Sequence, residues 1–274
     1  MKTLYVTDLD GTLLNDRIQV SKRSVRIINR LVSRGMLFTY ATARSLASAE
    51  KVTAKLDIRL PVVVYNGAFT IDAKTGEVLR SFGFNHGQKA YLQALLSSHD
   101  LYPLVYAYRD GQEKMSWLLS RQSDAQKQYA DGRRDDPRMH PVAALSDLYY
   151  GDVFYLTLMG ERDELMPVYL ALADSEHYAC FLQRELYTRQ YWCEIMPRAA
   201  SKAAAVTHLK ERLGCRRVIA FGDGHNDLPM FEAADACYAV KNAATVLKKA
   251  ATAVIGGNND DAVALWLEKN YGAD

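Results

Sequence analysis

Cysteine is scarce and scattered. Cys180, Cys193, Cys215 and Cys237 form no CxxC pair, which argues against a disulfide scaffold or a thiolate metal site and leaves four reduced, packed thiols. An excess of one charge is lacking too. The 34 Lys and Arg against 32 Asp and Glu leave a net of +2, so no general field draws in nucleic acid or acidic membranes. No run approaches the roughly 20 uninterrupted apolar residues of a spanning helix. The first apolar run, Leu4 to Thr7, is cut by Asp8 and is too short for a secretory h-region. Gly and Pro number only 16 and 7, too few for a collagen-like or low-complexity chain, and no internal repeat is found. What remains is a chain of 274 residues, 49% hydrophobic, long enough for one large core or two smaller ones. A cytoplasmic protein is expected, with no nucleic-acid or membrane partner, as a monomer or small homo-oligomer.

Short apolar runs alternate with amphipathic stretches at both ends of the chain, the pattern of a parallel sheet covered by helices. Strands are predicted over 3–7, 36–41, 61–65, 217–221, 237–240 and 253–255, near-continuously apolar as doubly covered strands are. Ser21 can cap a helix whose face is Val25, Ile28, Leu31 and Val32 and which Gly35 can close. Further helices are predicted from Ser45 to Leu56 and from Ser201 to Gly214. The middle of the chain reads differently. From about Phe84 to Pro197, helices near 88–98, after Arg121 and near 161–173 are interleaved with strands near 101–106, 114–119, 153–159, 178–182 and 190–195. Hairpin-like neighbours predict a mostly antiparallel sheet with helices on one side. The fold class is therefore α/β, a Rossmann-like core with a mostly parallel sheet, interrupted by an α+β domain. Boundaries are placed at 1–83, 84–196 and 197–274. The insert holds 17 of the 28 aromatic residues, most of which read as core; the Arg133–Asp136 run reads as a solvated loop.

In open parallel sheets, ligands bind beyond the carboxyl ends of the strands. The first run ends Asp8-Leu9-Asp10-Gly11-Thr12, the second Thr42-Ala43-Arg44, the third Asn66-Gly67, and the fourth Gly222-Asp223-Gly224-His225-Asn226-Asp227. Four strand ends thus present small polar or acidic groups. Asp8, Asp10, Asp223 and Asp227 in one crevice would repel one another unless a cation neutralises them. Oxygen donors without a His or Cys cluster select a hard ion, and Mg2+ fits. Lys202 stands in the first turn of a predicted helix, where the macrodipole disfavours a cation by about 0.3–1 kcal/mol; it makes sense there if it faces an anion. Thr42 and Asn66 can add neutral hydrogen bonds, and the helix start after Asn226 can add backbone N–H groups. Such a site stabilises a phosphoryl group in transfer, and one aspartate can attack phosphorus.

Asp8-Leu9-Asp10-Gly11-Thr12, Thr42, Lys202 and Gly222-Asp223-Gly224-His225-Asn226-Asp227 resemble the four motifs of the haloacid dehalogenase superfamily. The large insert after Asn66-Gly67 resembles its Cof-type sugar-phosphate phosphatases. The resemblance implies a phosphatase acting on a small phosphorylated metabolite through an aspartyl-phosphate. Asp8 would be the nucleophile and a metal ligand, and Asp10 the general acid and base with its backbone carbonyl on the metal. Asp223 would complete the metal ligands. Thr42, Lys202 and Asn226 would hold the phosphate, with Gly11, Thr12, Arg44, Asn66 and Asp227 in support. The insert would be the cap that selects the leaving group. Two departures stand out. Ala43 and Ala203 occupy positions where the family commonly has Gly, and alanine fits there only with φ < 0.

Plainer readings and rival functions weigh against parts of this. Asn-Gly is also a common turn dipeptide, and Arg44 divides between a substrate contact and an ion pair. His225 is expected to face solvent or the cap, and the other histidines the surface or core. Tyr106, Tyr108, Tyr187, Arg189 and Tyr191 read first as packing. A phosphomutase of the same superfamily would use Asp8 likewise. A non-hydrolytic phospho-Asp switch would share acidic strand ends, Thr and Lys, but a receiver domain lacks so large an insert. A nucleotide-binding Rossmann protein is disfavoured because no GxGxxG follows the first strand.

Overall fold

The stretch Thr3–Thr7 is buried along its whole length, as a strand covered on both faces must be, and it forms the centre of the first of two units. A computed structural model describes residues 2–110, 112–184 and 190–272. In chain order the elements are β1 (Thr3–Thr7), α1 (Lys22–Ser33), β2 (Leu37–Tyr40), α2 (Leu46–Thr53), β3 (Val62–Val64), β4 (Phe69–Ile71) and β5 (Val78–Ser81). Next come α3 (His86–Ser98), β6 (Leu104–Arg109), β7 (Gln112–Leu118), α4 (Asp124–Asp131), β8 (Met139–Val142), α5 (Leu145–Leu148) and β9 (Asp152–Gly160). The chain continues through α6 (Arg162–Leu172), β10 (Tyr178–Arg184), β11 (Tyr191–Pro197), α7 (Lys202–Arg212) and β12 (Arg217–Gly222). It ends with α8 (Leu228–Ala233), β13 (Ala236–Ala239), α9 (Thr245–Ala250), β14 (Ala253–Val254) and α10 (Ala262–Asn270). None of the described helices is long and apolar enough to cross a membrane.

Residues up to Ser81 and from Ala200 onward form one compact unit, and Phe82–Ala199 forms the other. In the first, among the described residues, a five-stranded parallel sheet runs β14-β13-β12-β1-β2. A parallel bridge from Ala41 to Val63 brings β3 alongside β2. From β1 the chain winds outward through β2, and from β12 it winds the other way through β13. The order therefore reverses between β1 and β12, and that is where an open α/β sheet offers its crevice. Helices α1 and α10 pack together, as do α7 and α8.

The helix punctuation follows from specific side chains. Ser21 caps α1 by accepting from the Ser24 amide, Ser45 caps α2 through Ser48, and Ser201 caps α7 through Ala204. Gly35 follows α1 at φ +95. There the Gly35 and Met36 amides donate back to the Val32 and Leu31 carbonyls, a closure that needs a residue without Cβ. The buried face of α1 holds Ile27 together with Ile28, Leu31 and Val32, whereas Val25, expected on that face, is only half-buried.

One feature of this unit is not announced by apolar runs. β3 joins β4 and β5 in a three-stranded antiparallel sheet. β5 is an exposed-to-half-buried edge strand, so it carries no core pattern to read.

Among the described residues, the second unit holds a six-stranded sheet of order β10-β11-β9-β6-β7-β8. Its pairs are antiparallel except β7 with β8. Leu92 and Leu96 of α3 and Leu165, Val168 and Leu172 of α6 share one core cluster with Val105, Leu156, Cys193 and Ile195 of the sheet. Alternate residues of β11 thus serve the helix-covered face and the opposite one. The edge strand β8 contains Pro141, tolerated there because an edge position need not donate to a ladder. Of the run Arg133–Asp136, expected to be a solvated loop, residues 133–135 are exposed, whereas Asp136 is half-buried and pairs with Arg138 at 2.6 Å. All four cysteines are free.

Candidate active site

Asp8 stands one residue beyond β1. Its amide still donates to the Phe221 carbonyl at 2.9 Å, so the β1–β12 ladder carries the carboxylate into the crevice. Its side chain is buried. The chain then makes one wide turn, Leu9–Leu13, closed by the Leu14 amide on the Leu9 carbonyl at 2.8 Å. Gly11 lies at φ +70, and a Cβ there would come within 2.3 Å of Asp223 Oδ2. Both the conformation and the space therefore require glycine. Gly11→Ala is expected to destabilise the protein by about 1–3 kcal/mol from backbone strain alone and to push Asp223 aside. Urea unfolding reads this directly, and an unchanged midpoint would mean that the turn relaxes without cost.

Lys202 is the first residue of α7, and its ammonium is wholly enclosed. It donates to Asp8 Oδ1 at 2.6 Å and to Asp227 Oδ1 at 2.7 Å. Burial alone would pull its pKa down, but Asp227 and Asp8 outweigh that and hold it above the ordinary lysine value. Burial pushes the Asp8 carboxyl well up; Lys202 opposes this, while Asp227, Asp223 and Asp10 add to it. Asp223 is pushed up to about 7 by burial and by Asp227, although Thr12 Oγ1 donates to it at 3.2 Å. Asp227 does two jobs at once. Its Oδ1 takes Lys202, and its Oδ2 accepts the Asp223 and Gly224 amides, each at 3.0 Å.

Ligand oxygens of Asp8, Asp223 and Asp227 lie within 4.8 Å of one another. The donors are all carboxylate oxygens, the set a hard divalent cation takes. Asp10 turns the other way: both its oxygens accept from Arg44, Oδ2 from Nε at 2.7 Å and Oδ1 from Nη2 at 2.6 Å. Four carboxylates thus stand against two cationic side chains, an excess of two negative charges that one dication would neutralise. The donor chemistry and the charge balance therefore both fit magnesium.

Thr42 and Asn66 are buried at the neighbouring strand ends. The Arg44 amide donates to Thr42 Oγ1 at 3.1 Å, and the Asn66 amide donates to the Thr42 carbonyl at 2.9 Å. Asn226 Nδ2 donates to Asn66 Oδ1, also at 2.9 Å. Tyr65, Asn66 and Gly67 all have positive φ, at 50, 52 and 103; for the first two this costs of the order of 1–3 kcal/mol each. Ala43 and Ala203 are absent from the positive-φ residues, so alanine is accommodated at both positions.

The residues singled out in sequence therefore gather at the strand ends of the first unit. His225 is exposed. Tyr106 is buried, and Tyr108 and Tyr191 are half-buried; Tyr187 and Arg189 lie outside the described residues. One participant was not singled out. Asn242, in the connection that follows β13, donates to the Gly11 carbonyl at 2.7 Å. Extending the strand-end reading to the fifth run, which leads through Val240 and Lys241 to Asn242, would have found it.

A family model described as haloacid dehalogenase-like hydrolase matches residues 5–267. The chain is 27% identical to the 5-amino-6-(5-phospho-D-ribitylamino)uracil phosphatase YwtE of Bacillus subtilis, over 98% of each chain. It is 25% identical to the pyridoxal phosphate phosphatase YbhA of Escherichia coli, over 95% of each. Among solved structures, TM0651 from Thermotoga maritima superposes with a TM-score of 0.76 at 28% identity, covering 98% of this chain and 97% of that one. The fold and the match over nearly the whole length agree with the motif residues: this chain belongs to the haloacid dehalogenase-like hydrolase family.

Proposed function

We propose that this protein is a magnesium-dependent phosphatase that hydrolyses small phosphorylated metabolites, sugar phosphates foremost, through an aspartyl-phosphate on Asp8. The observation that carries the reading is the buried Asp8 carboxylate, 2.6 Å from Lys202 and grouped with Asp223 and Asp227. Relatives named as phosphatases of a ribityl phosphate and of pyridoxal phosphate support the substrate class.

In this reading Asp8 attacks phosphorus and the bond from phosphorus to the ester oxygen breaks. Asp10 delivers a proton to the departing alkoxide, then takes one from the water that cleaves the aspartyl-phosphate. Phosphate leaves and Asp8 is restored. Asp10 must let go of Arg44 to act, since both its oxygens are engaged there; substrate arrival that draws Arg44 away would free it. Lys202, Thr42 and Asn226 hold phosphoryl oxygens, and Asp227 keeps Lys202 and the Asp223 loop in place. A magnesium ion held by Asp8, Asp223 and the Asp10 carbonyl would supply positive charge against the developing charge on the phosphoryl group. The inserted unit acts as the cap that selects the leaving group.

The test is turnover of p-nitrophenyl phosphate and a panel of phosphorylated metabolites, ranked by kcat/KM, before and after chelation. Magnesium-dependent release of inorganic phosphate is expected, with sugar phosphates among the best substrates. Full activity after exhaustive chelation would refute the metal dependence. An isomerised sugar phosphate with no free phosphate would mean transfer, as in a mutase, and not hydrolysis.

A further inference from the structure

The turn that carries Asp10 is closed by the Leu14 amide on the Leu9 carbonyl at 2.8 Å. Within it Asp10 has ψ 127 and Gly11 φ +70, both non-helical. The Gly11 carbonyl is taken by Asn242 Nδ2, from a distant segment, at 2.7 Å. Asn242 Oδ1 in turn accepts the Asn258 backbone amide at 3.0 Å. Asn258 then donates to the Leu14 carbonyl and to Asp16, each at 3.1 Å.

Asn242 belongs to the short connection between β13 and α9, and this connection has a second set of contacts. The Val240 amide donates to the Gly222 carbonyl at 3.2 Å and the Ala244 amide to the Asp223 carbonyl at 2.8 Å. One five-residue stretch thus grips both acidic loops. Its backbone holds the Asp223 loop, and one side chain holds the Asp10 turn.

We propose that Asn242 is a positioning residue that fixes the turn bearing Asp10 relative to the loop bearing Asp223. The inference rests on the reading of the site as a phosphatase. Asn242 touches none of the reacting groups and acts through the Gly11 peptide. It is exposed, so replacing it leaves no core cavity, and a loss of activity would not follow from unfolding. Geometry of this kind matters because displacing a reacting group by about 1 Å can cost on the order of 100-fold in rate.

The experiment uses Asn242→Ala and the near-isosteric Asn242→Leu, assayed with p-nitrophenyl phosphate and magnesium well below the melting temperature. Hydrogen–deuterium exchange of the Leu9–Leu14 amides is followed in parallel, without substrate. The expected result is a kcat lowered roughly 10- to 100-fold, the range for losing a group that orients a site, with KM little changed and faster exchange across the turn. Unaltered kcat together with unaltered exchange would overturn the proposal. A lowered kcat without faster exchange would overturn it too, because Asn242 would then act on the reaction directly. Should the unaltered protein turn over no phosphate ester, the reading of the site fails, and the exchange measurement alone decides the role of Asn242.

Discussion

Asp8→Asn is expected to lower phosphatase turnover by roughly 10^4 to 10^6, the scale seen when the nucleophile of a covalent mechanism is removed, while the fold survives. The amide is the same size as the carboxylate and keeps an oxygen for Lys202, which retains Asp227 at 2.7 Å. Stability should hold or rise. The Asp8 carboxyl is raised well above its ordinary value by burial, against the pull of Lys202, so at neutral pH its ionised form is held at a cost in the folded state. The asparagine variant escapes that cost. Thermal unfolding and p-nitrophenyl phosphate turnover, measured on the same preparation, check both halves. Undiminished turnover with magnesium present would remove Asp8 from the chemistry.

Lys202→Met should damage the protein itself. Methionine is similar in length and apolar, so the packing volume is nearly kept, but Asp8 and Asp227 lose the cation that lies 2.6 and 2.7 Å from them. Breaking a fully buried ion pair from one side costs about 3–5 kcal/mol because the remaining charge is stranded. A drop of that size in chemical denaturation is expected, together with loss of turnover. Magnesium should raise the melting temperature of this variant more than that of the unaltered protein, since a ligand that binds the folded state stabilises it and here also replaces a lost positive charge. A variant as stable as the parent would show that Lys202 carries no share of the buried charge balance.

Some features were legible from residues alone because a local rule and the global fold agree. α1 begins at Ser21 and closes at Gly35, and both signals lie within one turn of the helix ends. The strand ends of β1, β2, β3 and β12 could be read for chemistry because parallel strands point their carboxyl ends to one side. Other features depend on non-local partners. β5 is an edge strand with little buried surface, and β8 carries a proline that is acceptable because, among the described residues, β8 stands at the sheet edge. The pairing of Arg44 with Asp10 was equally hidden: spacing could not name the partner, and the bidentate geometry shows it. The left-handed backbone at Tyr65 breaks the propensity of its own residue type, as constrained sites do. Local patterns therefore report where functional groups stand, while their partners are settled by the packing of distant segments.

The pairing of β1 with β12 has a consequence for how the molecule is made. These neighbours in the sheet are separated by the whole inserted unit, which is itself one unbroken stretch of chain, Phe82–Ala199. During synthesis that stretch emerges complete and can fold as a domain on its own schedule. β1 must wait for its partner, and such long loop closures are slow. Asp8 and Lys202 are 194 residues apart along the chain, and Asp223 and Asp227 are made later still. The acidic groups and their cation therefore meet only after the inserted unit, α7 and β12 have been made, so a chain stopped before them carries Asp8 without the side chains that surround it in the fold.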